Sequence, residues 1–263
     1  MIHQAMRFLL LAGGLLCAVL AVGYFLQLPW ALATWPWQDG RLGNIFVSSV
    51  LAAVAAAMLW IGLSAHFAGA AGGFLHLATM LGGAALELFR LGQERADPRL
   101  TSFALALAAA AAGSLAALAW ARGRPLQDAR RLPGALRVWC VLYMLIVIPA
   151  GIALIRLVPG IMPWPLEPES STLYGWIFVA AAWSFAYPLL KPAVEHIRVG
   201  LFGFLAYDAV LIPPFLRHFD AVRPELRTSL SLYVVALSVS MAVSIYYLFV
   251  SRHTRIGPLR VAA

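Results

Sequence analysis

Apolar residues arrive along this chain in eight long blocks. They cover residues 6–30, 44–67, 70–91, 100–121, 137–158, 174–190, 198–216 and 228–250. Most come close to the ~20 residues that a helix needs to cross a bilayer. None alternates as a strand does, and each is far longer than the strand of a membrane barrel. An unpaired backbone group in lipid costs several kcal/mol, so helices are the form such blocks take. The pattern therefore predicts an all-α integral membrane protein with eight transmembrane helices. The sixth block is short, and Pro213-Pro214 is expected to break the end of the seventh, so seven spans is the competing count.

The blocks also repeat. Arg7 and Arg137 each open an apolar block, and Pro29 and Pro159 close them, both pairs 130 apart. Pro36-Trp37 and Pro163-Trp164 follow at an offset of 127, and Gly43-Asn44-Ile45-Phe46-Val47 answers Gly175-Trp176-Ile177-Phe178-Val179 at 132. Pro98 to Ser102 answers Pro224 to Ser229, and Ser114 and Arg122 match Ser244 and Arg252 at 130. Matches in the same order, with the offset shifting only in loops, predict a tandem repeat of two four-helix units, residues 1–126 and 127–263. An even number of spans per unit gives both the same orientation, hence a parallel repeat with its pseudo-two-fold axis along the membrane normal. The fourth span, nearly polyalanine, carries Ala104, Ala108, Ala112 and Gly113 and is expected to be central and tightly packed. Its counterpart carries Tyr233, Tyr246, Tyr247 and Phe249 and is expected nearer the lipid interface. Gly72-Gly73 and Gly82-Gly83 predict a further close helix crossing.

Composition agrees with the blocks: 62% hydrophobic and 11% charged residues, with mean hydropathy +0.85, lie outside the soluble range. The net charge of +8 would suggest nucleic acid in a soluble protein, but here the basic residues sit between spans. With eight spans, Arg7, Arg122, Arg124, Arg130, Arg131, Arg137, Lys191, Arg198, Arg252, Arg255 and Arg260 share the side of both termini, 11 of the 19 Lys and Arg. The positive-inside rule places that side in the cytoplasm, with the chain in the inner (plasma) membrane. The basic linker over residues 122–137 is expected to meet anionic lipid headgroups; no nucleic-acid partner is expected. Cys17 and Cys140 lie inside apolar blocks without metal or redox spacing. The N-terminal block is read as a first span, because its apolar run is longer than that of a signal peptide and no small-x-small site ends it.

An ionisable side chain inside a span costs about 2.5–3.5 kcal/mol and is a functional suspect by default. His76 and Glu87 lie in the third block; Asp208, after Tyr207, lies in the seventh. His76 and Asp208 are 132 apart, which makes them pseudo-symmetric and suggests a proton or cation site at the repeat interface. The alternative is structural, with Asp208 bonded to a neighbouring donor and His76 to a carbonyl. Lys191, Glu195 and His196 sit at a connection and are expected to need no burial. His66 and His76 flank one turn, which does not suit a haem sandwich, and no metal, cofactor or catalytic set is expected. The most distinctive motif is a pair of Trp-Pro loops. Trp30, Trp35 and Trp37 follow the first span, and Trp164 follows the fifth with Trp176 just beyond. Both are expected on the outer face, as interfacial caps or as an aromatic vestibule for a ligand.

The stretch from Met162-Pro163-Trp164-Pro165-Leu166 through Gly175-Trp176 resembles the Trp-Pro-Trp-Pro-Leu loop-and-helix pattern of uncharacterised bacterial multipass membrane proteins. The likeness extends through Arg252 and more faintly over the first half; this chain has Glu167-Pro168-Glu169-Ser170-Ser171 where the pattern runs Thr-Pro-Leu-Thr. It implies the membrane fold and no activity. The expected function is that of a non-enzymatic multipass component binding lipid, a small molecule or a membrane-protein partner, a second copy included. The alternatives are a small transporter or channel with its site between the repeats near His76 and Asp208, and a membrane enzyme or redox subunit.

Overall fold

The structure, a computed structural model, describes residues 2–37 and 39–256; Arg260, counted above among the basic residues, lies outside them. Among the described residues all regular elements are helical and there is no strand. Eight helices are long and apolar enough to cross a membrane: Ile2–Phe25, Arg41–Ser64, Phe67–Glu94, Pro98–Arg122, Gly134–Ile155, Pro168–Leu190, Val194–His218 and Pro224–Val250. In chain order the α-helices are α1 (Ile2–Phe25), the short α2 (Pro29–Leu32), α3 (Arg41–Ser64), α4 (Ala71–Glu94), α5 (Pro98–Arg122), α6 (Gly134–Ile155), α7 (Pro168–Ala181), α8 (Trp183–Leu190), α9 (Val194–His218) and α10 (Arg227–Ile245). The short sixth block becomes a full span because α7 begins at Pro168 and α8 continues it past a tight turn at Ala182. Pro213-Pro214 does not break α9, which runs through both to His218. Its cost is local: without proline N–H groups, the carbonyls of Ala209 and Val210 lose their helical donors.

α1 and α6 end in the same way. Gln27 and Leu157 take a left-handed backbone, φ 56° and 57°. The N–H groups of Gln27 and Leu28 bond back to the carbonyls of Tyr24 and Gly23 at 3.2 and 2.9 Å, and those of Leu157 and Val158 to Leu154 and Ala153 at 3.0 and 2.9 Å. These are similar helix-closing turns 130 residues apart, on two residues that no glycine preference would have singled out.

The helices form two compact units, each described by itself. The first comprises Met1–His66, Met162–Pro165 and Arg198–Ala263. Here α1 and α3 approach through glycine: a Cβ on Gly14 would stand 2.8 Å from the Leu59 Cγ, and one on Gly62 2.8 Å from that of Leu11. Arg7 Nε donates to the Gly62 carbonyl at 2.9 Å, and the Ser48 hydroxyl to the Ala21 carbonyl at 2.7 Å.

The second unit comprises Phe67–Ile161 and Leu166–Ile197. α6 and α7 touch backbone to backbone: a Cβ on Gly175 would stand 2.7 Å from the Gly151 carbonyl oxygen. The expected close crossing of α4 is present, since a Cβ on Gly83 would enter the Trp176 ring and one on Gly72 would stand 3.1 Å from the Tyr187 Cβ. α5, expected to be central, is peripheral. It buries Leu100, Ala104, Ala111, Leu118 and Ala121, a single seam along one side, and leaves Ala108, Ala112 and Gly113 exposed. Small side chains here give α5 one narrow contact line rather than close packing all round. In the first unit Tyr246 and Phe249, just beyond the end of α10, are half exposed.

Candidate functional site

Within the first unit, five aromatic side chains from four segments touch in a closed circuit. Phe46 comes from the first turns of α3, Trp164 from the loop after α6, Tyr207 and Phe215 from α9, and Tyr233 from the second turn of α10. Ring centroids lie 6.2 Å apart for Phe46–Trp164, 5.7 Å for Trp164–Phe215, 5.4 Å for Phe215–Tyr233 and 6.1 Å for Phe46–Tyr207. The circuit closes where the hydroxyls of Tyr207 and Tyr233 meet at 2.6 Å. Most of these pairs are edge-on or tilted, the arrangement that the ring quadrupole favours. Phe46 and Phe215 are fully buried, Trp164 is 7% exposed, and the Trp164 Nε1–H has no acceptor.

Asp208, next along α9 from Tyr207, is 0% exposed. Neither carboxyl oxygen receives a hydrogen bond; the buried Ser240 hydroxyl of α10 is its polar neighbour. Buried polar groups are nearly always paired, so such a group needs an explanation. The carboxyl follows Tyr207 of the circuit in sequence, and the circuit also holds the Trp164 indole, whose N–H lacks an acceptor. The cluster thus joins two features that the sequence left separate, the second Trp-Pro loop and the acid of the seventh span.

The other expected residues fall elsewhere. His76 belongs to the second unit, where its Nδ1 lies 3.0 Å from the Ser184 hydroxyl of α8 and its Nε2 is buried without a partner. Pro188 withholds the N–H that would otherwise occupy the Ser184 carbonyl. His76 and Asp208 therefore sit in different units, each with its own surroundings. Glu87 is paired within its own helix: Arg90 bonds both its oxygens, at 2.5 and 3.2 Å, and reaches Glu94 at 2.6 Å. Trp35 packs edge-on against Tyr24 and Trp37, and Trp30 is 50% exposed. Trp176 lies inside α7, against Gly83, and is not a loop residue.

Glu195 and His196, expected to need no burial, are buried, 1% and 8% exposed. Glu195 binds three backbone N–H groups: Oε1 accepts from Gly69 at 3.1 Å, and Oε2 from Gln127 at 2.6 Å and Asp128 at 2.8 Å. The basic linker is thereby tied down, and Val194 N–H adds a bond to the Arg130 carbonyl at 2.9 Å. Asp128 grips the Arg130 guanidinium at 2.7 and 2.8 Å and raises it further above its ordinary range, chiefly by hydrogen bonding. That leaves Arg122, Arg131 and Arg137 as the linker's exposed charges outside this pair.

Phe46, Phe215, Tyr233 and Ser240 complete the cluster and were not singled out as site residues from the sequence. A partial signal existed, since Phe46 belongs to the Gly43–Val47 stretch that resembles Gly175–Val179, and Tyr233 departs from the polyalanine texture of the fourth span. A scan of protein-family models and searches of curated proteins and of solved structures found no match for this chain.

Proposed function

We propose that this chain is a non-enzymatic multipass component of the inner (plasma) membrane that binds a small molecule at the aromatic circuit beside Asp208. The carrying observation is the buried, unpaired Asp208 carboxyl next to Tyr207 of the aromatic circuit, whose Trp164 Nε1–H is also buried without an acceptor. Binding sites of this kind are mostly apolar, with a few placed polar groups that fix orientation. Phe46 at the start of α3, Phe215 near the end of α9 and Tyr233 near the start of α10 lie at the same end of their spans. With cytoplasmic termini this is the outer end, so the ligand enters from outside. The linker carries Arg122, Arg131 and Arg137 to anionic headgroups on the opposite face.

The scaffold is a parallel duplication in this reading. Support comes from the matched turns at Gln27 and Leu157 and from the composition of the units. The first unit holds the opening hairpin of one repeat and the closing hairpin of the other, and the second unit holds the complementary pair. Exchanging the repeats therefore exchanges the units.

Native mass spectrometry of the full chain released from lipid nanodiscs tests the binding role. The expected result is a bound species of defined mass that is lost in Phe215→Ala and Trp164→Ala and kept in Leu232→Ala, a change at a 67% exposed position. Identical spectra for all four proteins would overturn the proposal.

A further inference from the structure

Resting on that binding role, we propose that the occupant is an organic ammonium cation that also carries a hydrogen-bond acceptor. The argument starts from charge. Asp208 lies within an apolar span with no donor on either oxygen, and a carboxylate so placed calls for a positive partner. Its own helix supplies none: Arg198 and Arg217 stand ten residues before and nine residues after it, about 15 and 14 Å along the axis at 1.5 Å per residue. Arg198 is further committed to the Thr254 carbonyl at 3.0 Å. A buried acid without such a partner is neutral, carrying its own proton; when Asp208 is charged, its positive partner comes from the ligand.

The walls say which kind of cation. Small metal ions need a shell of oxygen ligands, whereas this cluster offers Asp208, Ser240 and two phenols that already bond each other. Five aromatic rings instead suit a cation that is weakly hydrated and bears no metal-like demand for oxygen. Rings of this type hold quaternary and substituted ammonium groups through the negative face of the π system, best of all on tryptophan. The Trp164 Nε1–H, buried without an acceptor, adds a second requirement: a hydroxyl, carbonyl or carboxylate oxygen on the same molecule satisfies it. Choline-type compounds meet both conditions, as the headgroup of a lipid or as a free solute.

The test uses the full chain in nanodiscs of phosphatidylglycerol, which has no ammonium group. Calorimetric titrations with choline and with tetraethylammonium are compared with 3,3-dimethylbutan-1-ol, the uncharged carbon analogue of choline. Saturable binding of either cation, with the carbon analogue at least tenfold weaker, is expected. Asp208→Asn is expected to weaken the cation at least tenfold, and Trp164→Phe to weaken choline more than tetraethylammonium, which lacks the acceptor. Both variants should unfold within a few degrees of the wild type, which separates lost binding from lost folding. Adding phosphatidylcholine to the nanodisc distinguishes the sources: competition with free choline assigns a lipid headgroup, and its absence a free solute. If the carbon analogue binds as well as choline, or Asp208→Asn leaves cation binding intact, the ammonium inference falls and the small-molecule site stands. If no probe binds and the native spectra also show no bound species, both fall together.

Discussion

Glu195 offers the sharpest test of how this fold is held. Its carboxylate is the shared acceptor for the backbone N–H groups of Gly69, Gln127 and Asp128, so one side chain pins the turn before α4 and the linker before α6 to the start of α9. Bonds to a charged group contribute about 1.5–3 kcal/mol each, and a buried donor left without a partner costs about 1–3 kcal/mol. Three bonds to one group are not additive. Glu195→Ala is therefore expected to cost about 3–5 kcal/mol, near the top of the range for single substitutions. Glu195→Gln keeps one acceptor oxygen and is best turned with that oxygen toward Gln127 and Asp128; its NH₂ then opposes the Gly69 N–H, for a loss of about 1.5–3 kcal/mol. Thermal unfolding in nanodiscs ranks the two against Glu225→Gln, an exposed control. Trypsin supplies an independent readout, because Arg130 and Arg131 are exposed and should become rapidly cleaved once the linker is released. If Glu195→Ala unfolds with the control and its linker stays resistant, the clasp contributes nothing and the reasoning is refuted.

Four further outcomes follow from the same contacts. Gly69→Ala should destabilise by about 1–3 kcal/mol, since its Cβ would stand 2.7 Å from the Glu195 carbonyl oxygen; a shift below that of the control would show that the turn gives way freely. Asp208→Asn should match or exceed the wild-type unfolding temperature in the absence of ligand, because the native carboxyl has no hydrogen bond to lose; a fall of several degrees would mean the acid is structural. Tyr207→Phe and Tyr233→Phe should each cost about 1 kcal/mol and the double variant little more, as two sides of one 2.6 Å hydroxyl pair; full additivity would mean that the pair is not coupled. A cysteine at Gln127, without Cys17 and Cys140, should resist impermeant thiol reagents in intact cells, and ready labelling would put the linker outside.

The span count and the close glycine crossings were legible in the sequence because both depend on local composition: twenty apolar residues, or two adjacent glycines, mean much the same in any membrane helix. Burial was harder to read, because it depends on which helices become neighbours. Ala104, Ala108 and Ala112 look equivalent in sequence, yet only Ala104 is buried, since α5 meets its partner along one seam. Glu195 looked like a solvated connection residue because its acceptors' partners, at Gly69 and Gln127, are 126 and 68 residues away. The site was half visible for the same reason. An acid in a span and a Trp-Pro loop each announce themselves, but nothing local says that Trp164 returns to the unit of Tyr207 and Asp208, or that Phe46 touches both Trp164 and Tyr207.

Under the proposed duplication, the corresponding positions of the second unit lack what the proposed site is built from. At the offset of 132, Tyr207 answers Leu75, Asp208 answers His76, and Phe215 answers Gly83. Where the first unit places the Phe215 ring against Trp164 and Tyr233, the second has no side chain at all, and the Trp176 ring fills the place above Gly83. The acid is replaced by an imidazole that bonds Ser184, and the tyrosine by an aliphatic residue. Each change removes one part of the proposed site: the negative charge, the phenol and the ring. Their joint loss in one copy, with the helix-closing turns at Gln27 and Leu157 retained in both, is what a duplicated scaffold shows when binding is confined to one half. Restoring the second copy would accordingly need His76→Asp together with a ring at Gly83, and that ring has no room while Trp176 remains.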